Sequence, residues 1–329
     1  MTMRALITGG AGFIGSHLAE HLLAAGCAVT IIDNLSTGRF ENIAPLETNP
    51  HFRFAIEDIR NIHVLDRLVS ECDMIFHLAA AVGVEKIINS PIETIEVNIG
   101  GTEVVLQTAR RYRKKVLIAS TSEVYGKGVS IPFREDDDRV MGATTRSRWS
   151  YAASKAIDEF LSLAYHREAG LPVILFRLFN TVGPRQTGQY GMVLPRFVRW
   201  ALAGEPIRVY GDGQQQRCFA NVYDVVDAIY RLSQSSSAVG QLYNIGSNEE
   251  ITIMGLAERV RERSASDSEI VLVPYEQAYA EPGFEDFRRR VPSIDKIGKH
   301  LGWAPTTPLD ETIDQVIAYY REAQHDGRN

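Results

Sequence analysis

The chain has 329 residues, 45% of them hydrophobic, enough for two domains or one large domain with a lobe and for an ordinary core. A net charge of −6 and a pI near 5.8 argue against nucleic acid or an anionic membrane surface as partner. No apolar run is long enough to span a bilayer, and the first strand starts so close to Met1 that no signal peptide is expected. Cys27, Cys72 and Cys218 are far apart and form no Cys-x-x-Cys pair. Each is predicted to be a small buried hydrophobe, in a reduced, cytoplasmic setting.

In chain order, Ala5-Leu6-Ile7 predicts a strand. It runs into Thr8-Gly9-Gly10-Ala11-Gly12-Phe13-Ile14-Gly15, then into a helical pattern with Ile14, Leu18 and Leu22 on one face, stopped by Gly26. Val29-Thr30-Ile31-Ile32 is a second strand and ends on Asp33. Strand, glycine loop, helix, strand and acid in this order form the first half of a dinucleotide-binding fold. Gly9 lets the chain turn out of the strand, Gly12 lets a pyrophosphate approach the main chain, and Gly15 lets the helix pack on the sheet. The helix start offers N–H groups and a positive dipole end to phosphate. Asp33 accepts ribose hydroxyls and repels a 2′-phosphate, which favours NAD over NADP; Arg39 is the one residue that argues otherwise. His17 and His21 share a helix face at a spacing that suits a metal. No acid or cysteine completes a ligand set, so the pair is read as solvated and no metal is expected.

Further on, Phe52 to Ile56, Met74 to Leu78, Lys115 to Ala119 and Val173 to Phe176 read as strands. Between them lie helical patterns at Val64 to Val69, Pro91 to Tyr112 and Trp149 to Ala169, the last ended by Gly170. This alternation predicts an α/β protein with a parallel sheet, whose ligands sit at the carboxyl ends of the strands. The acidic run Glu135-Asp136-Asp137-Asp138 reads as a solvated turn. After Thr181 the alternation breaks down, with helices at Val193 to Leu202, Val222 to Leu232, Met254 to Arg263 and Leu309 to Tyr320 and a strand at Leu242 to Ile245. The expected architecture is a Rossmann-type doubly wound sheet over 1–177, with about 218–246 returning to it, and a smaller α/β lobe from 178–217 and 247–329.

Tyr151 and Lys155 stand four apart on one helix face. A tyrosine ionises near pH 10, too high for a base at neutrality, and a neighbouring ammonium favours the phenolate. Such a pair can take a hydroxyl proton while hydride leaves the same carbon for a nicotinamide.

With these residues, the chain resembles the extended short-chain dehydrogenases/reductases that act on nucleotide sugars: epimerases, dehydratases and decarboxylases. The resemblance rests on Gly9 to Gly15, Asp33-Asn34, His77-Leu78-Ala79-Ala80, Ser120 to Gly126, Tyr151 with Lys155, Arg177 to Asn180, Gly183-Pro184-Arg185, and Tyr210 to Gly213 leading to Arg217. It covers nearly the whole chain and implies a tightly held NAD, used and regenerated within one turnover. It places Phe13, Ile14, Asn34, Asp58, Ile59, Leu78, Ala79 and Ala80 around the dinucleotide, with Tyr151 and Lys155 at its reactive end. Thr121 would bond the sugar O4 beside Tyr151, with Ser122 next to it. Asn180, Arg185, Val193 and Arg217 would hold the sugar diphosphate, Arg217 through charge-assisted bonds.

Glu123 separates the subfamilies. The 4-epimerases usually carry a small residue there, and members that act at C5 carry an acid. Oxidising C4 of a hexuronate makes a β-keto acid, which loses carbon dioxide through an enolate, and an acid at 123 can position or protonate C5. Pro282 to Ile294 and Arg148-Trp149-Ser150-Tyr151 resemble the matching segments of UDP-glucuronate decarboxylases, and Arg290 falls on the arginine that works with the acid. Two departures stand. Tyr151-Ala152-Ala153-Ser154-Lys155 has the epimerase-style form, and Ser120 to Lys127 also resembles GDP-mannose 4,6-dehydratases. The expected function is a UDP-glucuronate decarboxylase, with a UDP-sugar 4-epimerase, a nucleotide-sugar 4,6-dehydratase and a non-catalytic NAD-binding protein as alternatives. A homodimer is expected through a four-helix bundle, built on Val97, Val104 and Val105 of one helix and Ala153, Phe160, Leu161 and Ala164 of the other.

Overall fold

The computed structural model describes residues 2–83, 87, 90–188, 191–278 and 288–325. Its first half is strand β1 (Arg4–Thr8), helix α1 (Phe13–Ala24), β2 (Ala28–Asp33), β3 (Phe52–Ile56), α2 (Ile62–Glu71) and β4 (Met74–His77). There follow α3 (Pro91–Ile95), a π-turn over Glu96–Gly100, α4 (Gly101–Tyr112), β5 (Lys115–Thr121), α5 (Arg148–Ala169) and β6 (Val173–Leu178). Next come β7 (Thr181–Val182), α6 (Val193–Ala203), β8 (Ile207–Tyr210), β9 (Gln216–Cys218), β10 (Ala220–Asn221), α7 (Val222–Gln234) and β11 (Leu242–Ile245). The last elements are β12 (Glu250–Thr252), α8 (Ile253–Arg263), β13 (Ile270–Val273), α9 (Tyr275–Ala278), β14 (Arg289–Arg290), α10 (Asp295–Leu301) and α11 (Leu309–His325).

The main sheet has seven strands in the order β3-β2-β1-β4-β5-β6-β11, all parallel. This is the doubly wound order with a seventh strand added, and the order reverses between β1 and β4, where ligands sit in such sheets. Both faces are covered, so strand residues are apolar in continuous runs rather than in alternation. On one face Leu18 and Leu22 of α1 and Val225, Val226, Ile229 and Leu232 of α7 pack on Ile7, Ile31 and Phe76. On the other, Leu65 and Leu68 of α2 and Val105, Leu106 and Ala109 of α4 pack on Leu6, Ile75 and Ile118. A third core joins α6, β8, α8 and α11 through Leu194, Phe197, Val209, Leu256 and Ile313. Cys27, Cys72 and Cys218 are buried and unbridged.

A buried polar knot ties β5, α5, β6 and β11 together. Arg177 forms a two-pronged pair with Glu159, at 2.9 and 2.8 Å, and Glu159 also accepts from Ser120. The guanidinium stacks 4.6 Å above the Tyr125 ring, and the Tyr125 hydroxyl donates to Asn244 at 2.7 Å. Both charges of the pair are satisfied by several bonds, the condition for burying an ion pair without a large desolvation penalty.

Four expectations need correction. His17 is not solvated: it is 2% exposed, packs edge-on against Tyr223, and burial lowers its pKa to about 4. His21 is half-buried against Tyr230. The two rings form the seam between α1 and α7. Glu135 is also buried, accepting from the Asn244 N–H at 2.8 Å, so only the aspartates of its run face solvent or lie part-buried. The helix from Pro91 to Tyr112 is interrupted by the π-turn. Val105 lies wholly inside, not on a face open to a partner. Residues 282–287 of the segment Pro282 to Ile294 lie outside the described residues.

Candidate active site

A cavity of about 520 Å³ runs from the glycine loop, across the carboxyl ends of β1, β2, β4 and β5, to the third core. At its first end no side chain caps α1 at Gly12, so the first-turn N–H groups are left for an anion. Gly9 has φ +71, and a Cβ there would lie 2.8 Å from the Ala79 nitrogen. A Cβ on Gly15 would lie 2.2 Å from the Gly9 carbonyl oxygen, and one on Gly10 would lie 2.4 Å from Cβ of Ile31. Gly10 is therefore a steric requirement of its own, apart from the three glycines read in the sequence.

Asp33 accepts from the N–H of Ala11 at 2.9 Å and of Leu35 at 2.8 Å. Burial raises its pKa and these bonds lower it. Asp58 pairs with Arg60 at 2.8 Å and takes a bond from Asn34 at 3.1 Å. The hydrogen bonds from Arg60, its strongest partner, depress the Asp58 pKa to about 2. Phe13, Ile14, Ile59, Leu78, Ala79 and Ala80 line the same end. Arg39 is exposed and is absent from the lining. This donor set, an acid on β2 and a glycine cradle at a helix start, fits NAD.

At the reacting end, Thr121 closes β5, and its hydroxyl accepts from the Glu123 N–H at 3.2 Å. That bond starts the 3₁₀ turn Ser122–Tyr125, which carries Glu123 back over the cavity. Glu123 is met by Arg290 at 3.0 Å and by Arg148 at 3.6 Å. Arg290 also donates to Ser122 at 3.4 Å. Arg148 is an addition to the expected set, brought to Glu123 by the first turn of α5. β14 runs parallel to β9 with Arg290 opposite Arg217. Two cationic side chains directly opposite on paired strands repel each other, and both are 6% exposed. A cavity lined this way is suited to a ligand with more than one negative charge.

Tyr151 and Lys155 project from the first turns of α5 into the cavity. Burial raises the Tyr151 pKa above its usual value, the Glu123 charge raises it further, and the hydrogen bond with Thr121 opposes both. The expected help from Lys155 is not seen: its ammonium pairs with Asp158 at 2.6 Å, and both side chains are buried. Asp158 was missed, although its i,i+3 spacing from Lys155 was readable.

Asn180 and Val193 line the cavity with Arg217. Asn180 donates to the Cys218 carbonyl at 2.9 Å. Arg185 does not join them. It bonds Ser16 at 3.2 Å and pairs with Glu20, tying the loop after β7 to α1, and it is absent from the lining.

A family model described as GDP-mannose 4,6 dehydratase matches residues 6–316. The chain is 44% identical over 328 residues to a UDP-N-acetyl-alpha-D-glucosaminuronate decarboxylase of Bacillus cytotoxicus, covering 99% of this chain and 100% of that protein. It is 36% identical over 327 residues to UDP-glucuronic acid decarboxylase 1 of Danio rerio, covering 99% and 75%. A solved UDP-glucuronic acid 4-epimerase from Bacillus cereus, in complex with UDP-glucuronic acid and NAD, matches with TM-score 0.87 and 27% identity over 97% of this chain and 99% of that one. The chain belongs to this family of NAD-dependent enzymes that modify nucleotide sugars.

The placement of the two arginines predicts a contrast. Arg217→Gln should weaken binding of UDP by about tenfold or more, the scale of a lost charge-assisted bond. Arg185→Gln should change it by less than about twofold, as for a part-exposed pair remote from the ligand. Calorimetric titration of both variants checks this, and equal losses would return Arg185 to the site.

Proposed function

We propose that this family member is a UDP-hexuronate decarboxylase. The observation that carries the proposal is the carboxyl group of Glu123, held by Arg290 and Arg148 beside Thr121 and Tyr151. An acid there has work to do at C5, whereas a simple 4-epimerisation leaves C5 untouched. The names of the relatives from Bacillus cytotoxicus and Danio rerio support the same reading. Full-length likeness to the first favours a 2-acetamido hexuronate over UDP-glucuronate.

In this reading Gly9, Gly12, Phe13, Ile14, Gly15, Asp33, Asn34, Asp58, Ile59 and Leu78 to Ala80 hold NAD. Bound NAD supplies the oxidising capacity at the sugar C4 and returns it. Tyr151 takes the O4 proton, and Thr121 and Ser122 orient O4. Once C4 is a ketone, the C6 carboxylate is β to it. The C5–C6 bond breaks, its electron pair enters the enolate, and carbon dioxide leaves. A proton drawn from solvent water beside Glu123 and Arg290 is then delivered to C5, so that the C5–H bond replaces the C5–C6 bond. Asn180, Val193 and Arg217 hold the diphosphate, and the lobe of 178–217 and 247–329 is assigned to the sugar nucleotide. A 4-epimerase is the second reading, supported by the epimerase-style Tyr151-Ala152-Ala153-Ser154-Lys155 and by the structural likeness to an epimerase.

We also place the enzyme in the cytoplasm, on its unbridged cysteines, and assign it a homodimer through α3–α4 and α5. Ile92 is 72% exposed, Ile95 41%, Ile157 45% and Phe160 58%. So many large apolar side chains on two neighbouring helices suit an interface.

Incubation with UDP-glucuronate and with its 2-acetamido counterpart should release carbon dioxide from at least one, and Tyr151→Phe should abolish release while keeping NAD. A UDP-galacturonate-type product with no gas would refute decarboxylation and favour epimerisation. Light scattering should give twice the chain mass; a monomer would remove the interface.

A further inference from the structure

Asn244 lies outside the cavity lining, yet the segments that carry Glu123 and Arg290 are both tied to it. It sits on β11 opposite Arg177 of β6 and is 0% exposed. Its side-chain oxygen accepts from the Tyr125 hydroxyl at 2.7 Å, and Tyr125 ends the 3₁₀ turn that holds Glu123. Its amide nitrogen donates to the carbonyl of Phe133 at 3.0 Å and to that of Ser293 at 3.3 Å. Ser293 follows Arg290 closely on the same run of chain. Phe133 holds that run directly: its N–H donates to the Val291 carbonyl at 2.8 Å, and its carbonyl accepts from the Ser293 N–H at 2.7 Å. The Phe133 ring also stacks on the Tyr125 ring, with centroids 4.6 Å apart. Tyr125, Phe133 and Ser293 thus form one buried frame around a single amide. The partners fix the residue type. Two carbonyl oxygens accept only and need the NH2 side, while the Tyr125 hydroxyl needs an acceptor. A carboxylate of the same shape would turn a negative charge on both carbonyls.

We propose that Asn244 is a positioning residue: it fixes Glu123, which stands at the end of the main sheet, and Arg290, which stands on the lobe, at the separation where the two side chains meet. Neither is held firmly by its own element. β14 is two residues long and lies at the edge of a three-stranded sheet. Glu123 stands on one short 3₁₀ turn, a form with poorer hydrogen-bond geometry than an α-helix. The amide joins the two weak elements behind the pair they present, whose charged atoms lie 3.0 Å apart. Arg217 does not depend on it in the same way, because β9 is paired on its other side with β12. Loss of the amide should therefore loosen the Glu123–Arg290 contact and spare the hold on the diphosphate. The inference rests on the assignment of Glu123 and Arg290 to the step at C5.

The test is a double-mutant cycle on that pair, read by urea unfolding of the full chain. Glu123→Gln, Arg290→Gln and the double variant give the coupling between the two side chains. The cycle is then repeated with Asn244→Ala in every member, and the coupling should fall to less than about half. A residue that only stabilises the core lowers every unfolding midpoint alike and leaves the coupling as it was. That result overturns the proposal, as does a pair with no coupling in the presence of Asn244. If Asn244→Ala does not fold, Tyr125→Phe takes its place. It removes one of the three side-chain bonds of Asn244 and should also reduce the coupling, and an undiminished value again overturns the idea. In turnover, Asn244→Ala should lower kcat for carbon dioxide release by about tenfold or more, as for a group held out of line, and leave UDP affinity unchanged. An equal loss of UDP binding would make Asn244 a general scaffold residue and contradict the proposal. Because the cycle needs no substrate, it stands or falls apart from the decarboxylase assay.

Discussion

Two guanidinium groups from distant parts of the chain meet on one carboxylate, and the site is built around that meeting. Glu123 arrives on the turn after β5, Arg148 on the first turn of α5, and Arg290 on β14, near the other end of the sequence. Only Glu123 is turned into place by a near neighbour in sequence, Thr121. The sheet order sets β5 beside β4, one strand from the switch point, the Thr121 hydroxyl turns the chain after it, and pairing of β14 with β9 delivers Arg290. The rest of the fold is the scaffold that lets these positive and negative groups share a small buried volume. Charges brought together without water must be balanced, and Arg290 and Arg217 stand opposite each other on β14 and β9 in the cavity wall.

The same principle governs the floor of the site. A tyrosine hydroxyl in an enclosed cavity beside an acid is a poor base, since both effects favour its neutral form. The nearest lysine on the same helix, Lys155, is paired with Asp158. The adjacent Arg177–Glu159 pair keeps a second buried acid from adding to the problem, so α5 carries two buried acids, each with its own cation.

Much of this was readable from the residues. β1 to β6, their helices and the glycine cradle follow from apolar runs and punctuation that are local. So do Asp33, Tyr151 and Lys155, whose meaning comes from position relative to those strands, whereas the role expected of Thr121 comes from the family resemblance. Where the reading failed, distance in sequence was the cause. Arg185 stands in a matching motif but turns to Glu20, 165 positions away. His17 looked solvated because α7, which buries it, comes some two hundred residues later. Glu135 is hidden by Asn244 in the same manner. Asp158 was missed for another reason: the field on Tyr151 depends on which neighbour Lys155 chooses, and spacing alone allows both.

Decarboxylation at C5 leaves a mark that no other reaction open to this site leaves. With the UDP-hexuronate substrate in deuterium oxide, the proton given to the C5 enolate comes from the solvent. Nuclear magnetic resonance of the product should show a UDP-linked pentose, with the C6 carbon gone and one deuterium at C5. A product that keeps its C6 carboxylate and the original hydrogen at C5 would contradict the role assigned to Glu123, Arg148 and Arg290.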